Sequence, residues 1–120
     1  MNSIDEISIQ GEDMSQLTQA IYLEIKAVAG KEKELAELLT GGAALVTQHE
    51  PNTIHWFALR LNNSTFAIFD TFSNEAGKAE HFAGPVAAAL KDHADALVEG
   101  GWDNGVIAKI KNSKILAYKA

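Results

Sequence analysis

The sequence predicts an α+β fold, a ferredoxin-like sandwich with an antiparallel sheet and the element order β-α-β-β-α-α-β. Three observations predict it. Apolar residues alternate with polar ones near both ends of the chain and in its middle, the two-residue period of a strand. Apolar residues at helical spacing fill the stretches between. A short polar turn separates the two middle strands, as in a hairpin. Two right-handed crossovers joined by a hairpin give the sandwich, and 120 residues suffice for one domain.

Residues 1–18 read as a polar, acidic arm, in which Ile4, Ile7 and Ile9 leave open a short strand or a clasp on a second copy. The domain is expected over residues 19–120. In AIYLEIKAV, Ile21, Leu23, Ile25 and Ala27 alternate with Tyr22, Glu24 and Lys26, which predicts the first strand. Leu35, Leu38, Leu39, Gly42, Leu45, Val46 and His49 then recur at helical spacing. Gly41 and Gly42 in mid-helix each cost about 1 kcal/mol against Ala; they imply a kink or a close helix–sheet contact. Pro51 closes this helix, and His49 suits its C-terminal dipole.

Thr53 to Leu61 and Thr65 to Phe72 form the hairpin around Asn62, Asn63 and Ser64. Ser73 and Asn74 offer caps to a short helix in which Ala76, Ala79 and Phe82 are expected to face the core. Gly84-Pro85 starts a second helix with an apolar stripe of Val86, Leu90, Ala94, Leu97 and Val98, and His93 is expected as a packed edge residue. Gly100 and Gly101 end it. Val106, Ala108 and Ile110 alternate with Ile107, Lys109 and Lys111, which predicts the last strand, with a bulge or turn at Asn112 and Ser113.

Composition excludes several function classes. The net charge is -6 and the only arginine is Arg60, so a nucleic-acid partner is not expected. There is no cysteine to serve as nucleophile, thiolate ligand or disulfide. No apolar run approaches the roughly 20 residues of a membrane span, and no secretory signal pattern is present, so a cytoplasmic protein is expected. No metal-ligand spacing, dinucleotide fingerprint or phosphate loop is present; no metal or cofactor is expected.

Both faces of the hairpin are apolar: Ile54, Trp56 and Ala58 on one, Phe57, Leu59 and Leu61 on the other. A sheet with helices on one face only would leave an apolar face in water, which predicts a homodimer and an enclosed apolar ligand pocket. Polar groups in the hairpin therefore stand out. Asp70 shares a face with Phe66, Ile68 and Phe72, where burial would raise its pKa and suit it to acid–base work. His55 shares a face with Phe57 and Leu59. His81 is expected off the core stripe of its helix, at the pocket mouth or bonded to the backbone at Gly84-Pro85.

The runs EPNTIHWFALRL, TFAIFDTFSN and EAGKAEHFAGPVAAAL resemble the antibiotic biosynthesis monooxygenase family of dimeric α+β barrels. Glu50-Pro51 matches the Glu-Pro-Gly before the second strand, with Asn52 in place of Gly. Asp70, His81 and Gly30-Lys31 match the family's acidic, histidine and Gly-Lys positions. The resemblance implies a homodimer with one pocket per subunit and cofactor-free oxidation of a quinol-like or polycyclic aromatic by molecular oxygen. It implies Asp70 or His55 as base and His81 as hydrogen-bond donor. Phe57, Leu59, Ile68 and Phe72 would line the substrate pocket. Two departures stand against anthrone itself: Phe72 replaces a tryptophan, and Ile68 an asparagine. The absence of an asparagine among Ile21, Leu23 and Ile25 stands against haem. An isomerase-like enzyme and a non-catalytic, dimeric ligand-binding protein are the alternative readings.

Overall fold

Alternation in QAIYLEIK places Ile21, Leu23 and Ile25 on one side of β1 (Gln19–Lys26), all buried, and leaves Glu24 and Lys26 exposed on the other. The computed structural model describes residues 16–120. The expected arm, with Ile4, Ile7 and Ile9, falls almost wholly outside the described residues. Of its end, Leu17 is buried, and the Thr18 N–H donates to the Phe72 carbonyl at 3.1 Å.

α1 (Glu32–His49) buries Leu35, Leu39, Gly42 and Val46 of the predicted stripe, leaves Leu38 and Leu45 half-buried, and ends with an exposed His49 in its last turn. Its two mid-helix glycines differ in purpose. A Cβ on Gly42 would sit 2.8 Å from the Trp56 ring, so this is the expected close helix–sheet contact, whereas Gly41 faces open space. β2 (Thr53–Arg60) and β3 (Thr65–Phe72) form the hairpin. Asn62 holds its turn, accepting the Ser64 and Thr65 N–H groups at 3.0 and 2.9 Å.

α2 (Glu75–Phe82) is capped by Asn74, whose side chain accepts the Gly77 N–H. α3 (Pro85–Leu97) starts on Pro85 and buries Val86, Leu90, Ala94 and Leu97. β4 (Lys111–Lys114) completes an antiparallel sheet of order β2-β3-β1-β4. That order is the ferredoxin-like arrangement, with all helices on one face, so the expected fold class stands. Among the described residues, no helix is long and apolar enough to cross a membrane.

The core between sheet and helices holds Ile21, Ile25, Leu35, Phe72 and Val98, each at most 2% exposed. Each such side chain contributes about 1.5–3 kcal/mol by leaving water. On the opposite sheet face the hairpin part is apolar and only partly covered: Phe57 is 49% and Leu59 41% exposed. The C-terminal segment around Ile115 and Tyr118 lies over one end of that face, beside His55, Phe57 and Phe69.

The C-terminal region departs from the expected strand. Residues 106–111 do not form it: Gly101–Val106 is a π-helical turn and Ile107–Lys109 a 3₁₀ turn, and the strand itself is the exposed Lys111–Lys114. Asn112 and Ser113 pair with Ile21 and Ala20 in place of a bulge or turn. Two causes act together. Gly100 and Gly101 take φ of 85° and 69°, winding the chain instead of extending it. The residues that turn inward are Trp102, Val106 and Ile110, four apart, a helical spacing that competes with the alternation.

Three smaller expectations also fail. The bulge between Thr53 and His55 turns Ile54 outward, away from Trp56. His93 is exposed, not packed at an edge. In α2 the inward pair is Gly77 and His81, while Ala76, Ala79 and Phe82 face solvent.

Candidate active site

His81 is the polar residue that α2 turns into the core, and it meets a carboxylate on each side. Its Nδ1 lies 2.6 Å from Glu50 Oε1, and its Nε2 lies 2.9 Å from Asp70 Oδ2. Asp70 comes from the helix-facing side of β3, between Ile68 and Phe72. Glu50 caps α1 at the entry to β2. Both carboxylates are 1% exposed and His81 is 7% exposed. The Phe72 ring packs on the imidazole with centroids 5.5 Å apart.

Local sequence explains each position. Pro51 stops α1 and turns Glu50 inward, where the Thr53 hydroxyl donates to Oε1 at 3.2 Å. Gly84 makes the room: a Cβ there would stand 2.5 Å from Glu50 Oε2. The Gly-Pro break thus serves the carboxylate as well as the helix boundary.

Charge in this interior is costly unless paired. Burial pushes the Asp70 carboxyl above its ordinary range; His81 pulls it back, and the Glu50 charge adds to the rise. For His81, burial opposes protonation. The contacts first with Asp70 and then with Glu50 outweigh it, and the imidazole pKa is raised. Nδ1 faces an acceptor, so Nδ1–H donates to Glu50. One further proton is shared between Nε2 and Asp70. The pair is therefore either an imidazolium beside a carboxylate or a neutral imidazole beside a carboxylic acid.

Asp70 also has an unused valence. Oδ1 is fully buried with no hydrogen-bond partner among the described residues, and Trp56 Nε1 is likewise buried and unpaired. The Oδ2–Nε2 contact is a close ion pair, not an aligned hydrogen bond. Asp70, His81 and Trp56 border one cavity of about 40 Å³, walled by apolar side chains including Ile68, Phe82 and Trp102. Larger hollows lie elsewhere. A groove of about 520 Å³ runs along the open sheet face, and a shallow depression of about 760 Å³ lies between α1 and Arg60. Neither touches the triad.

The expected site residues therefore divide. Asp70, His81, Ile68 and Phe72 come together on the helix side of the sheet. His55, Phe57 and Leu59 lie on the opposite face, because residues of odd and even register point apart. His55 Nδ1 is 2.9 Å from the Thr71 hydroxyl and its ring stacks on Phe57. It does not meet Asp70 or His81, and Phe57 and Phe72 cannot wall one pocket within a chain. Two site groups, Glu50 and Trp56, carry no local sequence signal of that role. Glu50-Pro51 was visible only as a matching dipeptide. Trp56 stood in the strand pattern as an apolar residue. Among the described residues, no group of three or more His, Asp or Glu side chains is arranged to hold a metal ion.

No family model matches the sequence, and no curated protein matches it. Solved structures do. A Nitrosomonas europaea protein of unknown function is 33% identical, with 87% of this chain and 94% of that one covered and a TM-score of 0.75. A candidate antibiotic biosynthesis monooxygenase from Bacteroides thetaiotaomicron matches at 13% identity over 88% of this chain and 93% of that one, with a TM-score of 0.64. A protein of the same description from Deinococcus radiodurans matches at 19% identity over 85% and 94%, with a TM-score of 0.60. At these last two identities the likeness is one of fold.

Proposed function

We propose, from the fold the chain shares with structures described as antibiotic biosynthesis monooxygenases, that it is a cofactor-independent monooxygenase of a quinol-like or polycyclic aromatic small molecule. The observation that carries the reading is Asp70. It is a buried carboxylate with one free oxygen at an apolar cavity, and a histidine fixed by a second carboxylate stands behind it.

Asp70 Oδ1 accepts the acidic proton of the substrate. The resulting electron-rich anion passes electrons to molecular oxygen, and the carbon–oxygen bond forms. Where the reacting carbon is a ring methylene, loss of water leaves a carbonyl. One oxygen atom enters the product, the other leaves as water, and the substrate supplies all four electrons. With the shared proton on His81 Nε2, Asp70 is the ionised partner; it holds the proton taken from the substrate and returns it to the departing oxygen, while the imidazolium stabilises its carboxylate. Glu50 keeps the imidazole turned toward Asp70. The apolar walls exclude water that would quench the anion.

The active unit in this reading is a homodimer joined through the sheet face that bears Phe57 and Leu59, whose exposure supports it. Its working place is the cytoplasm, on the sequence reading alone. The narrow 40 Å³ cavity favours a second reading, in which the triad is structural and the protein binds a ligand without turnover. Oxygen consumption with a panel of reduced quinols, metal and flavin absent, separates them. The oxygenase consumes oxygen above the uncatalysed rate; the binding protein does not.

A further inference from the structure

The 40 Å³ cavity has a chemical signature that the oxygenase reading leaves unused. Trp56 and Asp70 are directly paired across β2 and β3, and their side chains line the same space. Paired residues on one sheet face stand about 5 Å apart. Among the described residues Trp56 Nε1, a donor only, and both oxygens of Asp70 are buried without a hydrogen-bond partner, and of the two oxygens only Oδ2 has the ion-pair contact with His81. Leaving Nε1 and Oδ1 unpaired is unfavourable, so the two call for a ligand group that satisfies them together.

We propose that this cavity is a hydroxyl-binding site and that Trp56 fixes the substrate by a phenol-class hydroxyl, which donates to Asp70 Oδ1 and accepts from Trp56 Nε1. The hydroxyl is the smallest group that is donor and acceptor at one atom. A ketone or ether oxygen has no proton for an ionised carboxylate, and an ammonium has no lone pair for the indole. The space admits one such group, since a water-sized guest needs about 10–15 Å³. The ring enters past Phe82, which borders the cavity while remaining 44% exposed and so can swing aside. Once Asp70 removes the proton, the indole N–H remains to stabilise the phenolate oxygen. That last role rests on the oxygenase reading; recognition of the hydroxyl does not.

The test is a titration of the indole N–H resonances with phenol, and with toluene as the hydroxyl-free control. The chain has two tryptophans, and Trp56→Phe identifies which resonance is which. Phenol is expected to shift the Trp56 resonance saturably and to bind about tenfold more tightly than toluene, as a lost buried hydrogen bond implies. Trp56→Phe is expected to remove that preference, and Phe82→Ala, by opening the wall, to retain it. Equal affinity for phenol and toluene overturns the proposal. So does a Trp56 resonance in contact with water that phenol fails to displace. The comparison on the unaltered protein stands even where Trp56→Phe does not fold. Phenol selectivity without oxygen consumption by any quinol overturns the oxygenase reading and leaves the hydroxyl site. Oxygen consumption with an unmoved Trp56 resonance does the reverse.

Discussion

Glu50 Oε1 stands 2.6 Å from His81 Nδ1, and this contact between the end of α1 and the end of α2 aims the other imidazole nitrogen at Asp70. Glu50 is thus a positioning group. It also favours the charged imidazole, together with the stronger influence of Asp70. Glu50→Gln is expected to lower the His81 pKa while preserving the packing. An NMR titration of the imidazole protons checks this, and an unchanged titration would remove Glu50 from the account.

Stability should fall as pH rises. The folded pKa of His81 lies above its unfolded value, near 6.5. Its contribution is fully present below pH 6.5 and is lost as pH climbs through the raised value. Asp70 acts in the same direction. Its folded pKa lies above 3.8, so the folded state holds that proton more tightly, and this advantage disappears as pH climbs through the raised value. Urea unfolding across a pH series should show both. His81→Gln should flatten the upper part of the profile, and Asp70→Asn should flatten both parts, because Asp70 is also the chief cause of the raised His81 value.

Trp56 is held against the bare backbone of Gly42, and no side chain fits between them. Gly42→Ala gains helix propensity but overpacks this contact. The net effect expected is a destabilisation of about 1–3 kcal/mol, read from the urea midpoint. A neutral or stabilising result would mean that the helix moves aside easily.

Phe72 is fully buried and packs on the His81 ring. Phe72→Ala should cost about 3–5 kcal/mol in stability. Of the two phenylalanines that the family resemblance assigns to the pocket, Phe57 is half exposed on the other face. Phe57→Ala should spare the fold of the chain and instead weaken association of two copies. Light scattering checks the latter: the unaltered protein should show twice the 12.9 kDa of one chain.

These contrasts mark what the sequence could convey. Strand alternation at Ile21, Leu23 and Ile25 and the helical stripe through Leu35 and Val46 are local signals with a single reading, and the fold class follows from them. Asp70 was legible as a buried carboxylate because its strand neighbours are apolar. His81 was misplaced because Ala76, Ala79 and Phe82 form an equally regular stripe; Glu50 decides between the two faces, through a contact spanning 31 positions. The alternation through Val106, Ala108 and Ile110 misled for a related reason. The left-handed Gly100 and Gly101 and the inward turn of Trp102 are tertiary facts. Glu50 and Trp56 were invisible as site groups, because being unpaired or facing a histidine is a property of the assembled core.

The central claim is that Asp70 is the base of an oxygen-consuming reaction. The most direct measurement is the rate of oxygen consumption by the unaltered protein and by Asp70→Asn, with the same reduced quinol and no added metal or flavin. The account predicts consumption above background that falls by about 10²–10⁴-fold in the variant, as removal of a general base does, while His55→Ala changes it far less. Equal rates in the protein and its Asp70→Asn variant would contradict it.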